Sequence, residues 1–134
     1  LRILATALLH TTLIQLALGA AWRHLRVTHA LWTHVGLAFL IFLGALLAGM
    51  IARSTPEPRV ELARVIRAWG AALLVAVILQ FSLGWAALIV GGLEPDSNDL
   101  VQSLVLTSHQ ANGAVFIAAI TALAVWTKKA ARVA

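Results

Sequence analysis

Four long runs of apolar residues, separated by shorter polar segments, make up most of the chain. They cover residues 4–22, 31–51, 68–89 and 104–126. Each run is close to the ~20 residues that an α-helix needs to cross the hydrocarbon core of a bilayer. None of the runs alternates apolar and polar residues as a barrel strand does. Because a backbone in lipid has to form its hydrogen bonds internally, the pattern predicts four transmembrane helices.

The polar segments between the runs contain residues that end or redirect helices. Residues 23–30 connect the first two runs. Pro56 and Pro58 break the second connection, and residues 60–67 are expected to begin the third helix before it enters the membrane. The third connection, 91–99, is rich in turn-forming and acidic residues. The chain is therefore predicted to be an all-α, polytopic membrane protein with the architecture of an antiparallel four-helix bundle.

The composition agrees with a membrane protein and narrows the chemistry. Hydrophobic residues make up 61% of the chain and charged residues 11%, which is far from the balance of a soluble domain. The chain has no cysteine, so it cannot build a disulfide, a thiolate metal site or an iron–sulfur cluster. The net charge of +5 does not indicate nucleic-acid binding, because the basic residues lie at helix ends. Residues 1–134 are predicted to form one transmembrane domain.

Basic residues are distributed unequally between the two ends of the predicted bundle. Only Arg23 and Arg26 fall at one end, together with three acidic residues of the third connection. By the positive-inside rule the other end is cytoplasmic, which predicts a multi-pass protein of the prokaryotic plasma (inner) membrane with both termini in the cytoplasm. The basic residues of that end are Arg2, Arg53, Arg59, Arg64, Arg67, Lys128, Lys129 and Arg132.

An internal repeat relates the first two helices to the last two. Residues 15–19 (QLALG) in the first helix are echoed by residues 80–84 (QFSLG) in the third. Each is followed by a helix that opens with a hydroxyl residue directly before a histidine, His34 in the second helix and His109 in the fourth. The chain is therefore interpreted as two copies of a helix pair. Repeats of this kind in membrane proteins often place a binding site at the interface between the copies.

His34 and His109 are the main candidates for a functional site. An ionisable side chain in a lipid-crossing segment is costly unless it has a partner, and neutral imidazole is a common iron ligand. Both histidines lie near the outer ends of equivalent helices, at the similar depth that two axial ligands of one haem require. Gly113, one turn beyond His109 on the same face, would leave room for a flat cofactor. The alternative is that each histidine bonds to a carbonyl or hydroxyl of a neighbouring helix.

Other polar residues are secondary candidates for the same site. Arg23, at the outer end of the first helix, is either a bidentate partner of a haem propionate or an ordinary interfacial arginine. Gln15 and Gln80 each lie one turn from a glycine and are expected to bond across helices or to touch a cofactor. His29, in the outer connection, is the rival of His34 as a ligand. His10 lies deeper and is expected to be a paired polar residue.

The acidic residues are all placed outside the apolar runs. Hydrolytic or phosphoryl-transfer chemistry would need a carboxylate or a phosphate-binding loop at the site, and neither is present there. Redox chemistry through a bound cofactor fits the residues better, because the cofactor supplies the difficult step.

Several short segments together resemble the haem A synthase family of bacterial membranes and mitochondria. They are residues 15–24 (QLALGAAWRH), 34–38 (HVGLA), 80–84 (QFSLG) and 109–114 (HQANGA). Members of that family have eight transmembrane helices in two similar halves, and this chain resembles the C-terminal half over nearly its whole length. The resemblance implies that a b-type haem binds between two histidines on the second and fourth helices, and those match His34 and His109.

The resemblance also implies a function. The family oxidises a methyl group of haem O to the formyl group of haem A, and the N-terminal half, which nothing here matches, holds that substrate haem. This chain is then the haem-binding half, incomplete as a catalyst, with an electron-relay haem and with the missing half or a second copy as its partner. The electron donor stays open. Two alternatives are a haem b electron-transfer subunit of a respiratory complex and a structural or assembly membrane protein without a cofactor.

The orientation is the first testable prediction. A reporter that is active only in the cytoplasm, fused after Ala134, should be active, because eight basic residues share the end of the bundle that carries both termini. Reporter activity measured in intact cells checks this. An active periplasmic reporter at the same position would reverse the orientation and with it the outward placement of the histidines.

Overall fold

The structure, a computed structural model, describes residues 1–54, 56–91 and 99–132. These residues form four α-helices, α1 (Arg2–Leu25), α2 (Thr28–Ser54), α3 (Val60–Gly91) and α4 (Leu100–Arg132). All four are long and apolar enough to cross a membrane. The predicted all-α fold of four transmembrane helices is therefore confirmed.

The connection between α1 and α2 is shorter than the sequence indicated. The chain reverses at Arg26, whose backbone is left-handed (φ 55°, ψ 34°) and whose N–H donates to the Trp22 carbonyl. This closes the end of α1 in the αL manner, so α2 can already begin at Thr28. His29, which we expected in a connecting segment, consequently lies in the first turn of α2, with its side chain exposed.

The beginnings of α3 and α4 lie closer to the positions that the sequence predicts. α3 begins at Val60, directly after the segment that holds the two prolines. α4 begins directly after Asp99, whose Oδ1 accepts hydrogen bonds from the N–H groups of Val101 (2.8 Å) and Gln102 (3.3 Å). A carboxylate in this position satisfies N–H groups that lack a partner within the helix. The rest of the third connection, 92–98, lies outside the described residues.

The helices pack as a square in which each contacts two neighbours. α1 contacts α2 and α4, and α3 contacts α2 and α4, whereas the described residues show no contact across either diagonal. Consecutive helices run antiparallel. α2 and α4, which carry the two candidate histidines, are therefore diagonally opposite and face each other across the bundle axis.

The packed core occupies the end of the bundle near the two termini. Leu73, Ile120 and Leu123 are fully buried there, surrounded by small residues such as Ala45 and Ala48 that let the backbones approach. By contrast, the part of the bundle that holds the two histidines, which we call the histidine level, has no buried residue among those described, although Ala30, Leu31, Gly91 and Gln102 are buried directly beyond it. It comprises residues 13–29, 32–40, 78–90 and 103–115.

The α2 and α3 backbones approach each other closely at Gly49 and Gly70. A Cβ added at Gly70 would lie 2.6 Å from the Ala52 Cβ and 3.1 Å from the Gly49 carbonyl oxygen. A Cβ added at Gly49 would lie 2.6 Å from Leu74 Cγ. The two glycines are needed because no side chain fits between these backbones.

Gly70→Ala should lower the free energy of unfolding by about 1–3 kcal/mol, the usual cost of overpacking. Gly36→Ala is the matched control, because a Cβ there would meet nothing within 4 Å. Thermal unfolding of both variants in the same detergent, followed by the loss of helical circular dichroism, measures the difference. Equal stability of the two variants would contradict the close approach of α2 and α3.

Candidate functional site

His34 is held against α1 by two hydrogen bonds to one residue. The Gln15 side-chain Nε2 donates to the His34 carbonyl (2.8 Å), and the His34 Nδ1 lies 3.0 Å from the Gln15 carbonyl oxygen. Because a carbonyl oxygen can only accept, Nδ1 carries the proton in this contact. The other ring nitrogen, Nε2, is then the one with a free lone pair.

His109 is held against α3 by the equivalent residue. The Gln80 amide nitrogen lies 3.2 Å from Nδ1 and 3.4 Å from Nε2 of the ring, and it donates to whichever nitrogen is unprotonated. The sequence repeat is thus repeated in three dimensions, with a glutamine and a histidine joining each helix pair.

A glycine one turn beyond each glutamine makes room for the histidine ring. A Cβ on Gly19 would lie 3.0 Å from the His34 Cε1, and a Cβ on Gly84 would lie 3.2 Å from the His109 Cε1. Both distances are shorter than an ordinary van der Waals contact. The repeated glutamine–glycine spacing in α1 and α3 therefore makes space for an imidazole ring in each helix pair. We call these two positions, Gln15–Gly19 and Gln80–Gly84, the two seats.

The two seats face each other across the bundle. Each histidine belongs to one of the two diagonal helices, and each is held by the helix that precedes it in the chain. They lie at the histidine level, where the described residues do not close into a buried core. The site is therefore a pair of positioned imidazoles in a section of the transmembrane bundle where no described residue is buried.

Asn112 is a member of the site that the sequence analysis missed. Its Nδ2 donates to the Ala76 carbonyl (3.0 Å) and to the Gln80 Oε1 (2.8 Å). Because Oε1 is occupied by Asn112, the amide nitrogen of Gln80 is turned toward His109. The signal in the sequence was a second amide residue three positions after His109 in an otherwise apolar helix, which places both side chains on one face.

The first helix pair has no residue equivalent to Asn112. The Gln15 Oε1 is buried and has no hydrogen-bond partner among the described residues. A buried acceptor without a partner is uncommon in proteins and carries a free-energy penalty. This oxygen is an available acceptor directly beside His34.

Gly113 borders Gln80, and its predicted place beside a cofactor stays a prediction. A Cβ there would lie 3.3 Å from the Gln80 Nε2, so the space beside this glycine is filled by the glutamine amide. The small residues that border the histidine rings are instead Gly19 and Gly84. Gly113 thus leaves space for the Gln80 amide, which in turn contacts the His109 ring.

The remaining candidates lie apart from the two seats. Arg23 is exposed near the end of α1, and among the described residues it forms no ion pair. His10 bonds through Nδ1 to the Thr6 carbonyl (2.7 Å) within its own helix, near the opposite end of the bundle. The described part of the chain contains no group of three or more His, Asp or Glu side chains that could hold a metal ion. His24 and His29 are exposed.

The fold and the site define a multi-pass helical membrane protein in which two histidines are each held by a glutamine of the neighbouring helix. Comparisons of the chain with family models, with curated proteins and with solved structures found no match.

The contact between Asn112 and Gln80 yields a second prediction. Asn112→Ala and Gln80→Ala should each destabilise the bundle, and the double variant should lose less than the sum, with a coupling of about 0.6–1.7 kcal/mol. Unfolding in detergent, monitored by helical circular dichroism, gives the double-mutant cycle. As a control, Thr121→Ala with Gln80→Ala should be additive, because Thr121 bonds only within its own helix, to the Ile117 carbonyl. If the destabilisations caused by Asn112→Ala and Gln80→Ala were additive, the result would contradict a stabilising contact between these two side chains.

Proposed function

We propose that the chain is the haem-binding half of a haem A synthase-like membrane oxidoreductase and holds one b-type haem between His34 and His109. The observation that carries the proposal is the equivalence of the two seats. Each imidazole is oriented by a glutamine and admitted by a glycine on the preceding helix. Two equivalent ligands on diagonal helices are suited to bind one iron from its two axial sides.

His34 fits the role of an axial ligand without rearrangement. Histidines that bind metals almost always donate their second ring N–H to a carbonyl, a carboxylate or water, which fixes the ring and its tautomer. The His34 Nδ1 and the Gln15 carbonyl form this kind of contact at 3.0 Å. The Nε2 lone pair is then available to iron.

His109 fits with one local change. The Gln80 amide nitrogen is within hydrogen-bond distance of both ring nitrogens. An imidazole that binds iron through Nε2 keeps its proton on Nδ1 and has no free lone pair to accept this hydrogen bond. For His109 to hold iron through Nε2, the Gln80 amide nitrogen would have to turn away from the ring.

The chain's own residues would bind and orient the cofactor. A bound haem would supply one-electron redox chemistry, and the histidine level, which lies apart from most of the buried core, would be the section that holds it. Arg23, exposed near the end of α1, is the basic group available to a propionate there. On this proposal the oxidation of haem O belongs to a partner half, and this half relays electrons.

A cofactor-free role is the second candidate, and one observation favours it. Both histidines already have hydrogen-bond partners within the protein. Paired polar residues of this kind can serve only to hold helices together in a membrane. The two candidates differ in whether the purified chain has a visible absorption spectrum.

Histidine variants test the haem proposal. The purified chain should show a low-spin, bis-histidine haem spectrum, and His34→Ala and His109→Ala should each abolish it or convert it to high spin, because one axial ligand is lost. His29→Ala and His10→Ala are matched controls that should leave the spectrum unchanged. Visible absorption and electron paramagnetic resonance spectra of the five proteins provide the measurement. An unchanged low-spin spectrum in His109→Ala would disprove the ligand pair, and a colourless wild type would favour the cofactor-free role.

A further inference from the structure

A second polar feature lies at the opposite end of the bundle from the histidines. α1 and α4 leave an open groove of about 730 Å³ between them near the two chain termini. We call it the terminal groove, and its polar lining residues are Arg2, Thr6, His10, Thr11, Lys128 and Arg132. The first turn of α1 and the last turns of α4 come together here because the two helices are antiparallel neighbours.

The basic side chains of the terminal groove have no charge partner within the described residues. Arg2, Lys128 and Arg132 are exposed, and no acidic residue lines the groove. Lys129 lies nearby but does not line the groove, and its Nζ already has a partner, the Trp126 ring, whose centroid is 4.8 Å away. Three uncompensated positive charges around one concave surface create a positive potential that attracts an anion.

The acidic residues at this end of the bundle are already engaged. Glu57 pairs with Arg59 at 2.6 Å, and hydrogen bonding from Arg59 lowers the pKa of Glu57, which keeps its carboxylate ionised and committed. Glu61 pairs with Arg64 at 3.3 Å. Among the described residues, no free acidic side chain therefore neutralises the positive charge of the terminal groove.

The inner part of the groove offers weaker polar groups. The Thr11 hydroxyl donates to the Ala7 carbonyl (2.8 Å), and the His10 Nδ1 donates to the Thr6 carbonyl (2.7 Å). The hydroxyl oxygen and the second ring nitrogen remain available to a ligand. From Arg2 to Thr11 the groove follows α1 for about 14 Å, at the usual rise per residue.

The same face of α1 then becomes apolar. Ile14, one turn beyond His10, is 58% exposed, and in a transmembrane helix such a side chain faces lipid. A ligand that fits this gradient has an anionic group at the end of the helix and an apolar part that continues along it. A free inorganic anion would use only the first of these features.

We propose that the terminal groove binds the headgroup of an acidic phospholipid from the leaflet that surrounds the two chain termini. Arg2, Lys128 and Arg132 hold the phosphate, and the acyl chains extend along the exposed apolar face of α1. Basic pockets between transmembrane helices recognise anionic headgroups in this way. This site is independent of the haem proposal, because the histidine level lies at the other end of the bundle.

The test compares lipid retention by two equally charged variants. The double variant Lys128→Gln/Arg132→Gln removes two groove charges. The control Arg53→Gln/Arg67→Gln removes two exposed basic residues at the same end that do not line the groove. All proteins are purified in one neutral detergent, their helical circular dichroism is compared with that of the wild type, and phosphatidylglycerol or phosphatidylcholine is titrated in native mass spectrometry.

Wild type and control should retain phosphatidylglycerol in preference to phosphatidylcholine, and the groove variant should bind phosphatidylglycerol at least about tenfold more weakly. An equal loss of phosphatidylglycerol binding in both variants would show that binding depends on the general surface charge, and it would contradict the proposed site. No preference in the wild type would do the same. Displacement of the lipid by inorganic phosphate at constant ionic strength would show a free-anion site and contradict the lipid assignment.

Discussion

The structure depends on polar side chains that have to satisfy one another inside an apolar segment. An imidazole or an amide in lipid has no water to bond, so its position is stable only beside a matching group. Gln15 and His34 meet this requirement reciprocally, each through a side-chain nitrogen to the other's backbone carbonyl. Gln80 and His109 do so with Asn112 as a third member. These contacts fix the register of α1 against α2 and of α3 against α4, which apolar packing alone specifies weakly.

Most of the buried core lies in the half of the bundle near the two chain termini. Near the termini, small residues and buried leucines form a tight core, with Gly49 and Gly70 bringing two backbones together. At the histidine level no described residue is buried, and the helices there are joined by the glutamine–histidine contacts and by aromatic packing of α2 against α3. In that packing the Phe81 ring lies 5.1 Å from the Phe39 ring and 4.3 Å from the Phe42 ring. Stability in one half allows the other half to present two positioned imidazoles, which is what a cofactor between the helix pairs would need.

The sequence predicts the number and type of helices well, because the length of an apolar run is a direct consequence of bilayer thickness. It also reveals the repeat that builds the two seats. It predicts helix ends and helix rotation less well. The reversal at Arg26 depends on a left-handed backbone at an arginine, which no composition signal marks. The contact between Gly113 and Gln80 was not predicted, because a helix that is apolar all round does not show which face meets its neighbour. Haem binding and the family resemblance stay predictions.

Haem stoichiometry tests the central claim, that two equivalent seats hold one iron, most directly. The purified wild-type chain would be titrated with haemin in detergent and followed by visible absorption and electron paramagnetic resonance. The account predicts saturation at one haem per chain with a single low-spin species, because the two imidazoles share one iron. Saturation at two haems per chain, or a high-spin product at one, would show that His34 and His109 act separately and would contradict the account.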